Sequence, residues 1–315
     1  MAKAFVFPGQ GSQAVGMGKG LAETFAAARS VFEEVDEALH QKLSALMFEG
    51  PEGELTLTAN AQPALMAASL AAWRALEAEL GVDLGRDAAF VAGHSLGEYS
   101  ALAAAGSLTI ADAARLLRLR GEAMQRAVPV GEGMMAALIG IDYAAGAAIA
   151  AQAQEQTRAI CAVANDNGGG QIVISGAKPA VDCAIELAKA TGARRAIPLA
   201  VSAPFHCALM APAAKRMAEA LATTDIKKPK VPVVANVLAT SVEDPLEIRQ
   251  CLVEQVTGTV RWRESVAFMA GRGVSQFVEL GSGKVLTGLL KRIVETATGT
   301  AVGTPDEVWA YKALC

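Results

Sequence analysis

Short apolar runs broken by glycine alternate with longer stretches in which apolar residues recur at helical spacing. Residues 3–7 read as a first buried strand, and Pro8-Gly9-Gln10-Gly11-Ser12-Gln13 as a tight loop after it. Residues 21–46 carry helical patterning throughout. A second long helix is expected over 61–80, opening near Pro63 and closed by Gly81. Residues 88–92 read as a buried strand and 98–105 as a helix that stops at Gly106. Between them lies Gly93-His94-Ser95-Leu96-Gly97. Thr109 and Asp112 have the spacing of a capping box and start a helix running to about Ala127.

From Met134 the pattern changes. It predicts a strand over 134–141, a helix over 143–154, strands over 157–164 and 171–175, a helix over 179–191 and a strand over 194–201. That β-α-β-β-α-β order is the ferredoxin-like unit. Alternation then resumes, with helices over 211–223, 245–256, 266–271 and 285–295 and strands over 231–237 and 276–280. The expected class is α/β: an α/β-hydrolase-like core with a parallel sheet and an inserted ferredoxin-like small domain. Residues 1–127 and 200–315 would form the large catalytic domain and 128–199 the small one.

Composition narrows the function classes. Apolar residues make up 52% of the 315-residue chain and charged ones 19%, enough for a sizeable core. The net charge of −4 gives no support for nucleic-acid binding, and no apolar run is long enough to span a bilayer. The first eight residues are broken too early by Pro8 to read as a signal peptide. Cysteines 161, 183, 207, 251 and 315 are odd in number and lack a C-x-x-C pair, which points to reduced thiols in a cytoplasmic protein.

Strand, G-x-S-x-G, helix is the context of a nucleophile elbow, with Ser95 at the tip and the N–H groups of a helix end beside it. A plain strand-to-helix turn is the alternative. A serine nucleophile needs a proton acceptor, and three histidines are available. His40 lies in a polar helical stretch, and His94 neighbours Ser95 on a segment where adjacent side chains point apart. By elimination His206 is the base, although no residue that orients it is evident. Cys207 has nothing near it that would lower its pKa. On the helix over 109–127, Ala113, Leu116, Leu117, Met124 and Ala127 form one apolar stripe with Arg120 in its middle. Arg115, Arg118, Glu122 and Arg126 occupy the opposite face. An inward arginine needs an anion, either a buried Asp or Glu or a substrate carboxylate. Gly9 to Ala14 fits a loose dinucleotide fingerprint but lacks the second strand such a fold requires, and Gly281-Ser282-Gly283-Lys284 lacks the features of a phosphate loop.

Together these pieces resemble the malonyl-CoA:acyl-carrier-protein transacylase family over nearly the whole chain. The likeness runs through Phe7-Pro8-Gly9-Gln10-Gly11-Ser12-Gln13, Gly93-His94-Ser95-Leu96-Gly97-Glu98-Tyr99, Arg120-Gly121 and Ala203-Pro204-Phe205-His206. It continues through Gln255 with Val260-Arg261-Trp262, and Gly283-Lys284-Val285-Leu286-Thr287-Gly288-Leu289. The resemblance implies a Ser95–His206 dyad and an oxyanion hole from the backbone N–H groups of Gln10 and Leu96. It sets the Gln255 carbonyl against the imidazole and assigns Arg120 to the malonyl carboxylate. Asn165, Asn167, Arg194 and Arg195 resemble positions near the carrier's thioester arm. Three turns depart from the family pattern: Ser282 and Thr259 stand where proline is common, and Gly169-Gly170 replaces Pro-Gly.

The implied substrates are malonyl-CoA and the phosphopantetheine thiol of acyl carrier protein, with no bound cofactor or metal, no nucleic acid and no membrane. A monomer is expected, turning over by a ping-pong route. An acidic carrier would dock on basic residues, with Lys189, Arg194, Arg195, Lys227, Lys228 and Lys230 as candidates. The rival readings are a thioester hydrolase on the same dyad and a non-catalytic dinucleotide-binding module.

Overall fold

The computed structural model describes residues 2–314. Met1, part of the leader reading, and Cys315, one of the five thiols, lie outside the described residues. In chain order the strands are β1 (Ala2–Phe7), β2 (Phe90–Gly93), β3 (Gly133–Ile139), β4 (Cys161–Asp166), β5 (Gln171–Ala177), β6 (Arg195–Pro198), β7 (Val233–Ala235), β8 (Thr240–Val242), β9 (Val274–Leu280) and β10 (Thr298–Val302).

Strand β1 shows why the large sheet lies between helices. Phe5 and Phe7 enter one buried cluster, Ala4 and Val6 the other. A strand apolar on both faces belongs inside a covered, parallel sheet. The sheet runs β10-β9-β1-β2-β7-β8, parallel except for the β7–β8 hairpin at one edge. The helix Thr58–Leu80, buried from Ala61 to Trp73, packs on the Phe5 side, where the Phe5 and Trp73 rings meet edge to face at 5.9 Å. Burying a side chain of that size contributes about 1.5–3 kcal/mol.

The second sheet is antiparallel, in the order β4-β5-β3-β6. Ala136 and Leu138 of β3 face the helices Tyr143–Thr157 and Lys178–Ala190, while Met135 and Ala137 face the main core. This is the expected ferredoxin-like arrangement. The end of β4 is stitched to the segment after Gln255: Val260 donates to the Ala164 carbonyl (2.8 Å) and Asp166 donates to that of Val260 (3.0 Å).

Several elements differ from the sequence reading. The helix over 21–46 is three pieces, Lys19–Thr24, Ala26–Leu39 and Leu43–Glu49. Phe25 is extended (φ −117°) and buried against the Trp309 ring, and His40 is left-handed (φ 48°), so burial and a C-cap override helical propensity. The second long helix opens at Thr58, ahead of Pro63. The helix from Tyr143 runs on to Thr157, closed by left-handed Arg158, so β4 starts only at Cys161. The helix from Val285 ends at Leu290, not near 295. Strands β8 and β10 and the helix Pro305–Tyr311 went unread. Two of the departing turns carry ties: Thr259 Oγ1 donates to the Val163 carbonyl and Ser282 Oγ to that of Ser12, each at 2.6 Å. Gly169 has φ 58°, which proline cannot adopt.

Candidate active site

Strands β1, β2 and β7 are neighbours, and the chain leaving their carboxyl ends supplies Gln10, Ser95 and Asn236. Such sheets collect their sites at that edge. Phe7 and Gly93 end in register, and His94 N–H donates to the Phe7 carbonyl (3.0 Å). The turn that follows has no room for larger residues. A Cβ on Gly93 would lie 1.9 Å from the Gly97 carbonyl group, and one on Gly97 would lie 2.2 Å from the Phe7 oxygen.

Ser95 sits at φ 52° and His206 at φ 58°, both in the left-handed region. Such conformations cost about 1–3 kcal/mol each and persist when surrounding contacts over-determine them. For Ser95 those contacts are specific. Its N–H donates to Asn236 Oδ1 (2.7 Å) and its carbonyl accepts from Gln255 Nε2 (3.0 Å). Asn236 Nδ2 also donates to the Gly93 carbonyl (2.7 Å), so one buried asparagine clamps both sides of His94.

His206 Nδ1 lies 2.8 Å from the Gln255 carbonyl and 3.2 Å from that of Gly258. Two acceptors there place the proton on Nδ1 and leave Nε2 to accept from Ser95 Oγ, 2.8 Å away. Burial pushes the imidazole pKa down to about 3, with the nearby Arg120 charge adding to it. The ring is therefore neutral across the physiological range. His94 points elsewhere, with Nε2 2.9 Å from Asn167 Oδ1, and burial lowers its pKa too. His40 caps a helix on the exposed surface. The Cys207 thiol donates to the Pro204 carbonyl and is pushed up by burial, which leaves it inert.

Arg120 is 1% exposed. Of the two anions expected for it, no carboxylate among the described residues is in contact. Its guanidinium donates to Gln62 Oε1 (2.7 Å), Gln255 Oε1 (2.9 Å) and Ser95 Oγ (3.0 Å), all neutral acceptors. Its Nε has no partner among the described residues. The nearest acidic group along this chain of bonds is Glu98, one amide away through Gln255 Nε2 (3.0 Å).

Ser95, His206 and Arg120 line a cavity of about 300 Å³ together with Gln10, Leu96, Gln62, Met124, Met135 and Phe205. The backbone N–H groups of Gln10 and Leu96 find no acceptor among the described residues. A second cavity of about 450 Å³ adjoins it, sharing Gln10, His94, Asn165 and Leu199, and is also bordered by Asn167, Lys284 and Arg292. Asn165 and Asn167 are buried here, whereas Arg194 and Arg195 are exposed near and on edge strand β6 and border neither cavity. Lys189, Lys227 and Lys228 pair with Glu186, Asp225 and Glu243. No group of His, Cys, Asp and Glu among the described residues could hold a metal ion, and no helix is long and apolar enough to cross a membrane. Sequence reasoning missed Asn236, Gln62 and Glu98. Each acts through a partner dozens of positions away, and no local spacing marks them.

A neutral imidazole on a serine at a strand-to-helix elbow, with spare N–H donors alongside, is acyl-transfer geometry. In agreement, the model of the acyl transferase domain family matches residues 4–305. The malonyl CoA-acyl carrier protein transacylase of Bacillus subtilis is 48% identical over 305 residues, covering 97% of this chain and 94% of that protein. The crystal structure of acyl-carrier-protein-S-malonyltransferase from Bartonella henselae matches with a TM-score of 0.97 at 56% identity, over 100% of this chain and 99% of that one. A malonyl-transacylase solved in complex with its type II polyketide synthase acyl-carrier protein matches at 0.95 and 44% identity, over the whole of both chains. The chain belongs to the malonyl-CoA:acyl-carrier-protein transacylase family.

Proposed function

We propose that the protein moves a malonyl group from coenzyme A to the phosphopantetheine thiol of an acyl carrier protein through a malonyl ester on Ser95, supplying fatty acid or polyketide synthesis. The observation that carries this reading is the buried Arg120 guanidinium, 3.0 Å from Ser95 Oγ and, among the described residues, bonded only to neutral groups. A charge so placed favours an acyl chain ending in a carboxylate.

In the first half-reaction Ser95 Oγ attacks the thioester carbon while His206 Nε2 takes its proton. The carbonyl oxygen becomes an oxyanion held by the N–H groups of Gln10 and Leu96, and losing one such donor costs about 10²–10³ in turnover. The Gln255 carbonyl holds the imidazolium in register as charge develops. Collapse expels coenzyme A as a thiol, protonated by His206. The carrier's thiol then enters and gives its proton to His206 as its sulfur attacks the ester carbonyl carbon; the bond to Ser95 Oγ breaks and His206 returns the proton to that oxygen. The second cavity suits the pantetheine arm, with Asn165 and Asn167 beside it. Arg194 and Arg195, which have no ion-pair partner among the described residues, are the docking charges for an acidic carrier.

Every protein side chain and backbone group assigned to the chemistry comes from one chain, so we assign it to a monomer, with malonyl-CoA as thioester donor, the carrier as thiol acceptor and no bound cofactor; we also assign it to the cytoplasm. We assign residues 128–199 to a small domain that walls the cavity and 1–127 with 200–315 to the catalytic domain. Initial rates against both substrates should give parallel lines, and intersecting lines would contradict the covalent route. A malonyl-enzyme that survives without a thiol acceptor supports transfer; rapid loss to water would make the protein a hydrolase.

A further inference from the structure

Gln255 faces three ways. Its backbone carbonyl accepts from His206, its Oε1 accepts from Arg120, and its Nε2 donates to Glu98 Oε2 (3.0 Å). Glu98 lies in the first turn of the elbow helix Gly97–Ala104 and is 2% exposed. The same Oε2 accepts the Asn236 backbone N–H (2.8 Å). An acid this deep with no cation bonded to it is uncommon, and the reaction scheme above gives it no task. The titratable or charged groups facing it are Arg120 from the helix Ile110–Ala127, Tyr99 beside it on its own helix, and Cys251 from the helix Pro245–Glu254.

We propose that Glu98 is the internal counter-charge of Arg120: it fixes the Gln255 amide so that Oε1 meets the guanidinium, and it takes up a proton from solvent when an acyl carboxylate takes over that guanidinium. The proposal rests on the malonyl-transfer reading. Two anions sharing one buried cation repel, and the group that can shed its charge by protonation is the carboxyl already held in low dielectric. Burial holds Glu98 at about 7, against the lowering effect of its two N–H donors and Arg120. A second negative charge raises it further. The loaded enzyme then binds a proton that the empty enzyme lacks above about pH 7. Malonyl loading is therefore full below that pH and falls above it. His206, down at about 3, adds no competing titration.

The test is the rate of Ser95 malonylation at low malonyl-CoA, followed by intact mass from pH 6 to 8.5, for wild type, Glu98→Gln and Glu98→Ala. Glutamine keeps one oxygen for both N–H donors and removes only the charge. Wild type and Glu98→Gln should match at pH 6, and their ratio should fall about three- to tenfold by pH 8.5. Glu98→Ala should be slower at every pH, because the Gln255 amide is then held by the Ser95 carbonyl without the Glu98 carboxyl, with Glu98→Gln restoring the rate at pH 6. A wild-type to Glu98→Gln ratio that stays level overturns the proton-coupled half, and an alanine variant as fast as wild type overturns the positioning half. If wild-type Ser95 is not malonylated at all, the malonyl-transfer reading falls first.

Discussion

The two walls of the reaction cavity are built by different physics. The elbow wall is polar and dry: Gln62, Glu98, Arg120, Asn236 and Gln255 are none of them more than 2% exposed, and each bonds to another member or to the elbow backbone. The facing wall is apolar, with Met135 from β3 and Leu199, Ala200 and Val201 where the chain returns from the antiparallel unit. The arginines of the same antiparallel unit, Arg194 and Arg195, border neither cavity and lie outside in water. Desolvated hydrogen bonds cost much to lose, whereas exposed charges contribute little. Chemistry and acyl choice should therefore depend on the first wall, and the second should govern access and the carrier.

The largest expected effect is at Arg120. Removing one partner of a buried charged contact costs about 2–5 kcal/mol, or roughly thirtyfold to a few thousandfold. Arg120→Ala should lose that much malonyl loading while tolerating acetyl better, as read by acylation rates with the two thioesters. Equal losses would separate the arginine from the acyl carboxylate. Next is Asn236→Ala, which strands the Ser95 N–H donor and the Gly93 carbonyl acceptor at about 1–3 kcal/mol each. It should lower denaturation stability and slow acylation by both thioesters alike. A selective loss of malonyl loading would instead place Asn236 with Arg120's task.

A pH series sharpens the contrast within the polar wall. Because His206 and His94 are held below their ordinary value by burial, the unfolded chain takes up protons below about pH 6.5 that the folded chain refuses. That contribution to thermal stability should be lost as pH drops from 7 to 5, against an opposite contribution from Glu98, whose carboxyl holds its proton more tightly when folded. The stability lost on acidification should therefore be smaller in His206→Gln than in wild type. An unchanged slope would mean the imidazole is not buried in its neutral form. The smallest effect belongs to the other wall. Charge reversal at Arg194 and Arg195 should leave acylation by coenzyme A thioesters unchanged, slow transfer to the carrier, and do so less at high salt. Unchanged carrier transfer would remove that docking surface.

The contrast also explains what the sequence made legible. Ser95 could be read because its constraint is local: two glycines, a strand and a helix, all between Phe90 and Ala104. Arg120 could be read because a charge inside an apolar stripe breaks periodicity on its own helix. Its partners could not. Gln62 and Gln255 stand 58 and 135 positions away, and two neutral amides hold a guanidinium for which helical spacing alone suggested a carboxylate. Glu98 passed for an ordinary helix former in its first turn, where acids are common. Asn236 follows the three-residue strand β7, too short for periodicity to mark. The same holds for β8, while Thr298–Val302, with a glycine and two threonines, pairs only because β9 already offers a parallel edge.

The central claim is that Ser95 carries the acyl group. Intact-mass measurement after mixing the protein with malonyl-CoA tests it most directly. The account predicts that wild type gains one malonyl group, mapped to the peptide holding Ser95, and that Ser95→Ala gains none. No gain in wild type, or an equal gain in the alanine variant, would contradict it.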